Sequence, residues 1–129
     1  MNNGFVVLWR KFKDTSFYKD SYAVHLALHL IMRANHEDRK IVFNKEELTI
    51  HRGQTVAGRF TLADETGMHP SMIMRRLALL SNVGFLDIKS NNRFSLITIR
   101  NYKAYQDKKD RIGQHIEQPA NNQRTQTTM

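Results

Sequence analysis

Four side chains in one predicted helix have the types and spacing to contact nucleic acid. The helix spans 70–83, and Ser71, Met72, Arg75 and Arg76 are predicted to lie opposite its apolar stripe. A guanidinium can donate two hydrogen bonds to O6 and N7 of guanine, so Arg75 is the best candidate to read a base. Met72 suits a thymine methyl group, Ser71 suits a base or a phosphate, and Arg76, which points more to the side, suits a phosphate. Met74 is predicted to be a packing residue rather than a DNA contact.

A β-hairpin directly after this helix is predicted to supply further contacts. Two β-rich runs, 85–89 and 94–100, are separated by Ser90–Arg93, whose residue types are typical of a turn. Cations and amides around such a loop suit the phosphate backbone or the minor groove. The predicted contacts here are Lys89, Asn91, Asn92 and Arg93.

The apolar spacing and the two ends of the 70–83 segment indicate a helix. Ile73, Leu77 and Leu80 recur at the i, i+4 and i+7 positions of one buried stripe. Pro70 suits the first helical position, because its missing N–H would have no intrahelical partner there. Gly84 follows the predicted end, where a left-handed residue is common.

A shorter helix precedes this one, and a tight turn joins the two. Either Gly58 or Thr61 is the N-cap of the shorter helix, and Leu62 and Ala63 are expected to face inward. Gly67 suits the turn because glycine adopts a positive φ without strain. Helix, turn, helix and hairpin in this order predict an α+β fold, a winged helix-turn-helix, in which the second helix enters the DNA major groove.

The N-terminal half supplies the elements that must position this motif. A long helix is predicted from Tyr22 to about Ala34, with Asp20 or Ser21 as its N-cap, and it would be the first of three main helices. The other predicted elements are a small N-terminal β element, a strand or extended segment at Phe5–Trp9, and a small hairpin made of Lys40–Phe43 and Leu48–Ile50.

No constellation in the sequence predicts catalysis or a cofactor. His25 and His29 stand four apart and could share a helix face, but no acidic residue or third ligand lies near them in sequence. We therefore expect two ordinary helix histidines and no metal site. There is no glycine-rich phosphate loop, no nucleophile with a plausible base and no cysteine, so the sequence predicts a protein that is not an enzyme.

The composition indicates a globular, basic protein. Among 129 residues, 20 Lys and Arg stand against 12 Asp and Glu, a net charge of +8. That excess favours a polyanionic partner, with nucleic acid ahead of an anionic membrane surface. No apolar run is long enough for a transmembrane helix, and the N-terminus lacks a secretory pattern, so we expect a cytoplasmic protein with no membrane partner.

The chain divides into one domain and a tail. Residues 1–106 are predicted to form the DNA-binding domain. Residues 107–129 turn charged and then rich in Gln, Asn and Thr, with few apolar side chains to bury, so we expect a disordered tail or linker.

Several short motifs together resemble one known family. They are Arg33–His36 before a strand ending in Phe43-Asn44, Arg52-Gly53-Gln54 before the motif helices, and Ile97–Tyr102 followed by Tyr105-Gln106. Over about residues 4–106 the chain is similar to the N-terminal winged-helix domain of phage and prophage replication initiators, the DnaD-like replisome organisers.

This resemblance implies a function and partners that the residues alone do not give. The implied activity is binding of origin double-stranded DNA. A separate C-terminal region of such proteins engages a replicative helicase or its loader, beyond a polar linker like the one here. This chain ends inside that linker, so we expect a piece of a longer protein or a stand-alone domain. Self-association stays open, because Phe5–Trp9 could pair within one chain or between two.

One residue departs from the pattern, and two other functions stay open. His69 precedes Pro70, where relatives of this motif carry Ser or another small capping residue; a histidine caps less well and could point at a phosphate instead.

A small transcriptional regulator would need the same helix in the same groove. A winged helix used for protein contact is the alternative from another class.

Overall fold

The chain forms an α+β fold with two small antiparallel sheets, as predicted. The computed structural model describes residues 4–43, 45–91, 94–104 and 106. Its elements in chain order are a 3₁₀ helix Arg10–Asp14, α1 Ser21–Arg33, β1 Arg39–Phe43, β2 Glu46–Ile50, β3 Gln54–Val56, α2 Arg59–Thr66, α3 Pro70–Asn82, β4 Leu86–Ser90 and β5 Ser95–Ile99. Within these described residues no helix is both long and apolar enough to cross a membrane.

The core forms where the apolar faces of α1, α2 and α3 meet the larger sheet. The predicted stripe of α3 is confirmed, because Ile73, Leu77 and Leu80 are all buried. Leu26 and Leu30 of α1 are also fully buried and belong to the same cluster. Full burial of one such side chain stabilises the fold by about 1.5–3 kcal/mol, so this cluster fixes how the helices pack.

The N-cap of α1 is Asp20 rather than Ser21. Its Oδ1 accepts a hydrogen bond of 3.0 Å from the backbone N–H of Ala23, which satisfies one of the free donors at the helix start. The helix begins at Ser21 and ends at Arg33, within one residue of the predicted ends.

The turn between α2 and α3 uses the predicted glycine. Gly58 is the N-cap of α2, and Gly67 ends that helix in the left-handed region with φ 81°. At the other end of α3, Gly84 has φ 84°, and the N–H of Phe85 donates to the carbonyl of Leu80 over 2.9 Å. That bond, characteristic of a left-handed helix end, turns the chain sharply into β4.

The larger sheet has the order β3-β5-β4, with all pairs antiparallel. Gly53 leads into β3 with φ 87°, and a Cβ atom there would lie 2.8 Å from Cβ of Tyr102. Its carbonyl also accepts from the N–H of Ile99 over 2.9 Å. Only glycine fits this junction, because the backbone is left-handed and a buried ring lies against it.

The predicted hairpin between α1 and β3 is confirmed, and it forms a sheet of its own. β1 and β2 pair in antiparallel register, with Ile41 opposite Leu48. Lys45 in the connecting turn has φ 67°, the left-handed conformation that a tight reversal needs.

Of the two alternatives predicted for Phe5–Trp9, the strand is wrong, because residues 4–9 have no regular secondary structure. The extended segment is the alternative that remains. The backbone of Val7 is hydrogen-bonded to a side chain rather than to a neighbouring strand. The N–H of Val7 donates to Oε1 of Gln106 over 2.8 Å, and Nε2 of Gln106 donates to the carbonyl of Val7 over 3.0 Å. The apolar run suggested burial, yet Phe5 and Leu8 are exposed.

The C-terminal end of the described chain forms a helical turn. Tyr102 is buried in the core cluster, while Tyr105 lies outside the described residues. The tail predicted at 107–129 also lies outside them.

Candidate nucleic-acid interface

One face of α3 is left uncovered by the core. The stripe of Ile73 and Leu77 points inward, so the opposite side of the helix is exposed to solvent. The exposed residues on that side follow the i, i+3, i+4, i+7, i+11 spacing of a single helix face, and they are Ser71, Met74, Arg75, Ala78 and Asn82.

Arg75 is the free cation of this face. Its side chain is exposed, and among the described residues it has no hydrogen-bond or ion-pair partner. No acidic residue occurs anywhere in α3 to neutralise it. A guanidinium held on a helix in this state can offer its full set of donors to a base edge or a phosphate.

Arg76 is placed differently from its neighbour. Its Nε lies 3.0 Å from Oδ2 of Asp20, and its guanidinium carbon lies 5.5 Å from the ring centroid of Tyr22. Only 21% of the side chain is exposed. The phosphate contact predicted for Arg76 is therefore not favoured, because its charge already pairs α3 with the start of α1.

The pairing with Arg76 affects the pKa of Asp20. Partial burial raises the pKa of its carboxyl, but the hydrogen bonds from the Ala23 N–H and from Arg76 outweigh burial and hold the pKa below its usual value. The carboxylate thus caps α1 and anchors α3 with the same charge.

The two methionines of α3 are exchanged relative to the prediction. Met72, predicted to touch a thymine methyl group, is half-buried and packs against the core. Met74, predicted to be a packing residue, is 47% exposed and lies beside Arg75. The apolar surface available on the outer face of α3 therefore belongs to Met74.

His69 caps α3, although its residue type is a poor cap. Its Nδ1 accepts from the backbone N–H of Ser71 over 3.0 Å and lies 2.8 Å from the Oγ of the same residue. Because Nδ1 accepts, the proton of the neutral ring is on Nε2. Ser71 is thus tied to the cap, with its side chain still exposed at the first turn.

The β4–β5 hairpin is partly described. Lys89 is exposed near its tip, as the predicted contact requires. The Oδ1 of Asn91 accepts from the N–H of Phe94 over 2.9 Å, so this side chain closes the loop. Asn92 and Arg93 lie outside the described residues.

An ion pair braces the base of the same hairpin. Two guanidinium nitrogens of Arg100 lie 2.8 and 2.9 Å from the carboxylate of Asp87. The hydrogen bonds from Arg100 lower the pKa of Asp87, and the carboxylate in turn raises the pKa of Arg100. Arg100 is thus a brace of the hairpin rather than a free cation.

A polar cluster holds α2 against α1 and was not found from the sequence. Oε1 of Glu65 lies 2.8 Å from Nε of Arg33 and 2.7 Å from Nε2 of His29. Arg33 also donates to Oγ1 of Thr55 over 2.6 Å and to the carbonyl of Val56 over 3.0 Å. One guanidinium therefore joins α1, α2 and β3.

The hydrogen bonds from Arg33 and His29 lower the pKa of Glu65 to about 2. No signal near His29 in the sequence could have revealed this pairing, because its acidic partner lies 36 residues further on. The described residues contain no group of three or more side chains suited to a metal ion.

A second unpredicted feature lies at the start of α2. Phe60 is 66% exposed, and the guanidinium carbon of Arg59 lies 4.9 Å from its ring centroid. The adjacent Ala57 N–H donates to the carbonyl of Ser95 at the start of β5. The chain just before this pair is therefore bonded to the start of β5.

Comparison with known proteins adds no relative: no family model matches the chain, and neither a curated protein nor a solved structure matches it.

Proposed function

We propose that residues 4–106 form a winged helix-turn-helix that binds double-stranded DNA, with α3 in the major groove. The order of elements supports this: α1, β3, α2, α3 and the β4–β5 hairpin, with β3 paired to β5 in one sheet. In such folds the second motif helix presents its N-terminal half to base edges, and the hairpin reaches the flanking backbone.

The observation that carries the proposal is the state of Arg75. In a chain with a net charge of +8, this guanidinium has no partner among the described residues, and it lies on the uncovered face of a helix whose other side is packed into the core. The buried stripe of Ile73, Leu77 and Leu80 fixes α3 to the core, so Arg75 is held on a rigid support. Rigid presentation of donors is what base recognition requires.

The biological role that we propose is origin recognition in phage-type replication initiation. Its support is the similarity to DnaD-like replisome organisers. A small transcriptional regulator would use the same face of α3 in the same way, so it is the second candidate of this class. Contact with a helicase or its loader through a further region, and self-association, are part of the same proposal and rest on the same similarity.

Fluorescence polarisation with labelled duplexes tests DNA binding directly. Neutralising about 4 to 6 phosphates predicts a log–log salt slope of roughly −4 to −5. Arg75→Ala is expected to cost about 1–3 kcal/mol, which is roughly a 5- to 150-fold loss of affinity, and to relax the preference for one base pair.

Arg76→Ala is the matched control on the neighbouring residue. Its guanidinium is paired with Asp20, so the change should lower the stability of the fold and leave the affinity of the folded protein within about twofold. Equal losses of affinity from both substitutions would contradict the proposal that Arg75 contacts DNA and Arg76 does not. Binding that is absent, or independent of salt, would favour a winged helix used for protein contact.

A selection from a genomic library separates the two DNA-binding roles. Enrichment of one cluster of repeated sites is expected for an origin, whereas enrichment of promoter-proximal single sites would favour a transcriptional regulator.

A further inference from the structure

The uncovered face of α3 carries apolar surface around Arg75, a cation that has no partner among the described residues. Met74 is 47% exposed directly before Arg75, and Ala78 is exposed one turn further along the same face. The other exposed residues of this face are Ser71 in the first turn and Asn82 at the end of the helix, and the helix contains no acidic residue. The chemistry that this face can offer to base edges is therefore narrow.

Each base pair shows a different set of groups in the major groove. The 5-methyl group of thymine is the apolar group there, and alanine and other apolar side chains contact it. Cytosine offers an amino donor that an acidic side chain reads, and adenine is read by an amide. Between Ser71 and Ala78 the outer face of α3 carries neither an acidic nor an amide side chain, so the apolar residues there can add specificity only where a thymine methyl group is present.

We propose that Met74 and Ala78 read thymine methyl groups on either side of the base contacted by Arg75, an inference that rests on the proposed function. Four residues of helix span about 6 Å along the axis, close to two base-pair steps of about 3.4 Å each. The preferred site therefore contains thymines within about two base pairs of a guanine. Met72 takes no part, since it is packed against the core.

Two parallel selections test the proposal with the full chain. One random duplex library is amplified with dTTP and the other with dUTP, so that the second lacks every 5-methyl group. The dTTP library should yield a guanine flanked by enriched thymines. In the dUTP library the guanine should persist and the flanking preference should vanish, with a loss of about fourfold in affinity for each methyl group removed.

Two methionine variants assign the effect to a residue. Met74→Ala should reduce the thymine-to-uracil affinity ratio at one position from about fourfold to about one, because the shortened side chain no longer reaches the methyl group that the longer methionine contacts at this position. Met72→Leu keeps the volume of a packing residue and should retain the ratio.

The outcomes separate this inference from the function on which it rests. Both libraries could yield the same site, with thymine in one and uracil in the other next to the guanine, at equal affinity. That result would overturn the reading of methyl groups while DNA binding stands. A Met74→Ala protein that keeps the wild-type ratio would also overturn it. Failure to enrich any site from either library would overturn sequence-specific DNA binding and this inference together.

Discussion

Replacing Glu65 by Gln should destabilise the fold at neutral pH and have no effect in strong acid. The variant keeps the shape of the side chain and removes the charge that Arg33 and His29 contact. Arg33 would not be left without partners, because Thr55 and the carbonyl of Val56 still accept from its Nη1. The expected loss of stability is therefore the loss of the attraction between Glu65 and its two partners. No further cost arises from a buried charge left without a partner.

The size of the effect follows from the acidity of Glu65. Its pKa falls from 4.5 to about 2, mainly through the hydrogen bonds from Arg33 and then His29. At 1.36 kcal/mol per pKa unit that difference corresponds to about 3.4 kcal/mol. The side chain is 33% exposed, and solvent screening reduces the expected contribution to about 1–2 kcal/mol.

The sign of the pH dependence is fixed by the direction of this change. Because the folded pKa is below the unfolded one, the stabilisation is complete above pH 4.5 and disappears as the pH falls through about 2. Urea unfolding should be measured for both proteins at several values between pH 2 and pH 7. The free energy of unfolding of the wild type should exceed that of Glu65→Gln by an amount that shrinks steadily as the pH falls.

Asp64→Asn is the matched control, on the adjacent carboxylate. Asp64 is exposed and has no partner among the described residues, so its change should alter the free energy of unfolding by less than about 0.5 kcal/mol. A Glu65→Gln difference that stays constant across the whole pH range would refute the electrostatic reasoning and indicate lost packing.

Two further predictions concern the ends of α3 and the start of β3. His69→Ala should cost about 1 kcal/mol of unfolding free energy in urea melts. His69→Asp should keep the cap yet weaken duplex binding in polarisation, because it places a negative charge where a phosphate approaches; His69→Asn is the neutral control, and equal binding by both would contradict this. Gly53→Ala should cost about 1–3 kcal/mol more than Gly84→Ala in the same melts: both glycines are left-handed, but only the first would collide with Tyr102, so equal costs would rule that collision out.

Local pattern was enough to predict the helical half of the fold. The stripe of Ile73, Leu77 and Leu80, the left-handed Gly67 and the end at Gly84 each depend on residues within one turn of one another. Such information survives in the sequence because helix periodicity and turn conformations are properties of short segments.

Errors arose where the partner of a residue lies far away in the chain. Arg76 finds Asp20 at a separation of 56 residues, and Val7 finds Gln106 at a separation of 99. A helical wheel gives the face of a side chain only to within about one position. Met72 and Met74 were exchanged for that reason, and α3 in the structure is rotated so that Met74 faces solvent.

The clasp between Val7 and Gln106 brings the two ends of the folded region together. Both backbone groups of Val7 are held by one amide, at 2.8 and 3.0 Å. Polypeptide joined before Val7 and polypeptide joined after Gln106 would thus leave from neighbouring points, and modules carried there would meet at a high effective concentration. The same proximity makes the domain suited to circular permutation, with a short peptide bridging the old ends and the new ends opened in the turn between β1 and β2.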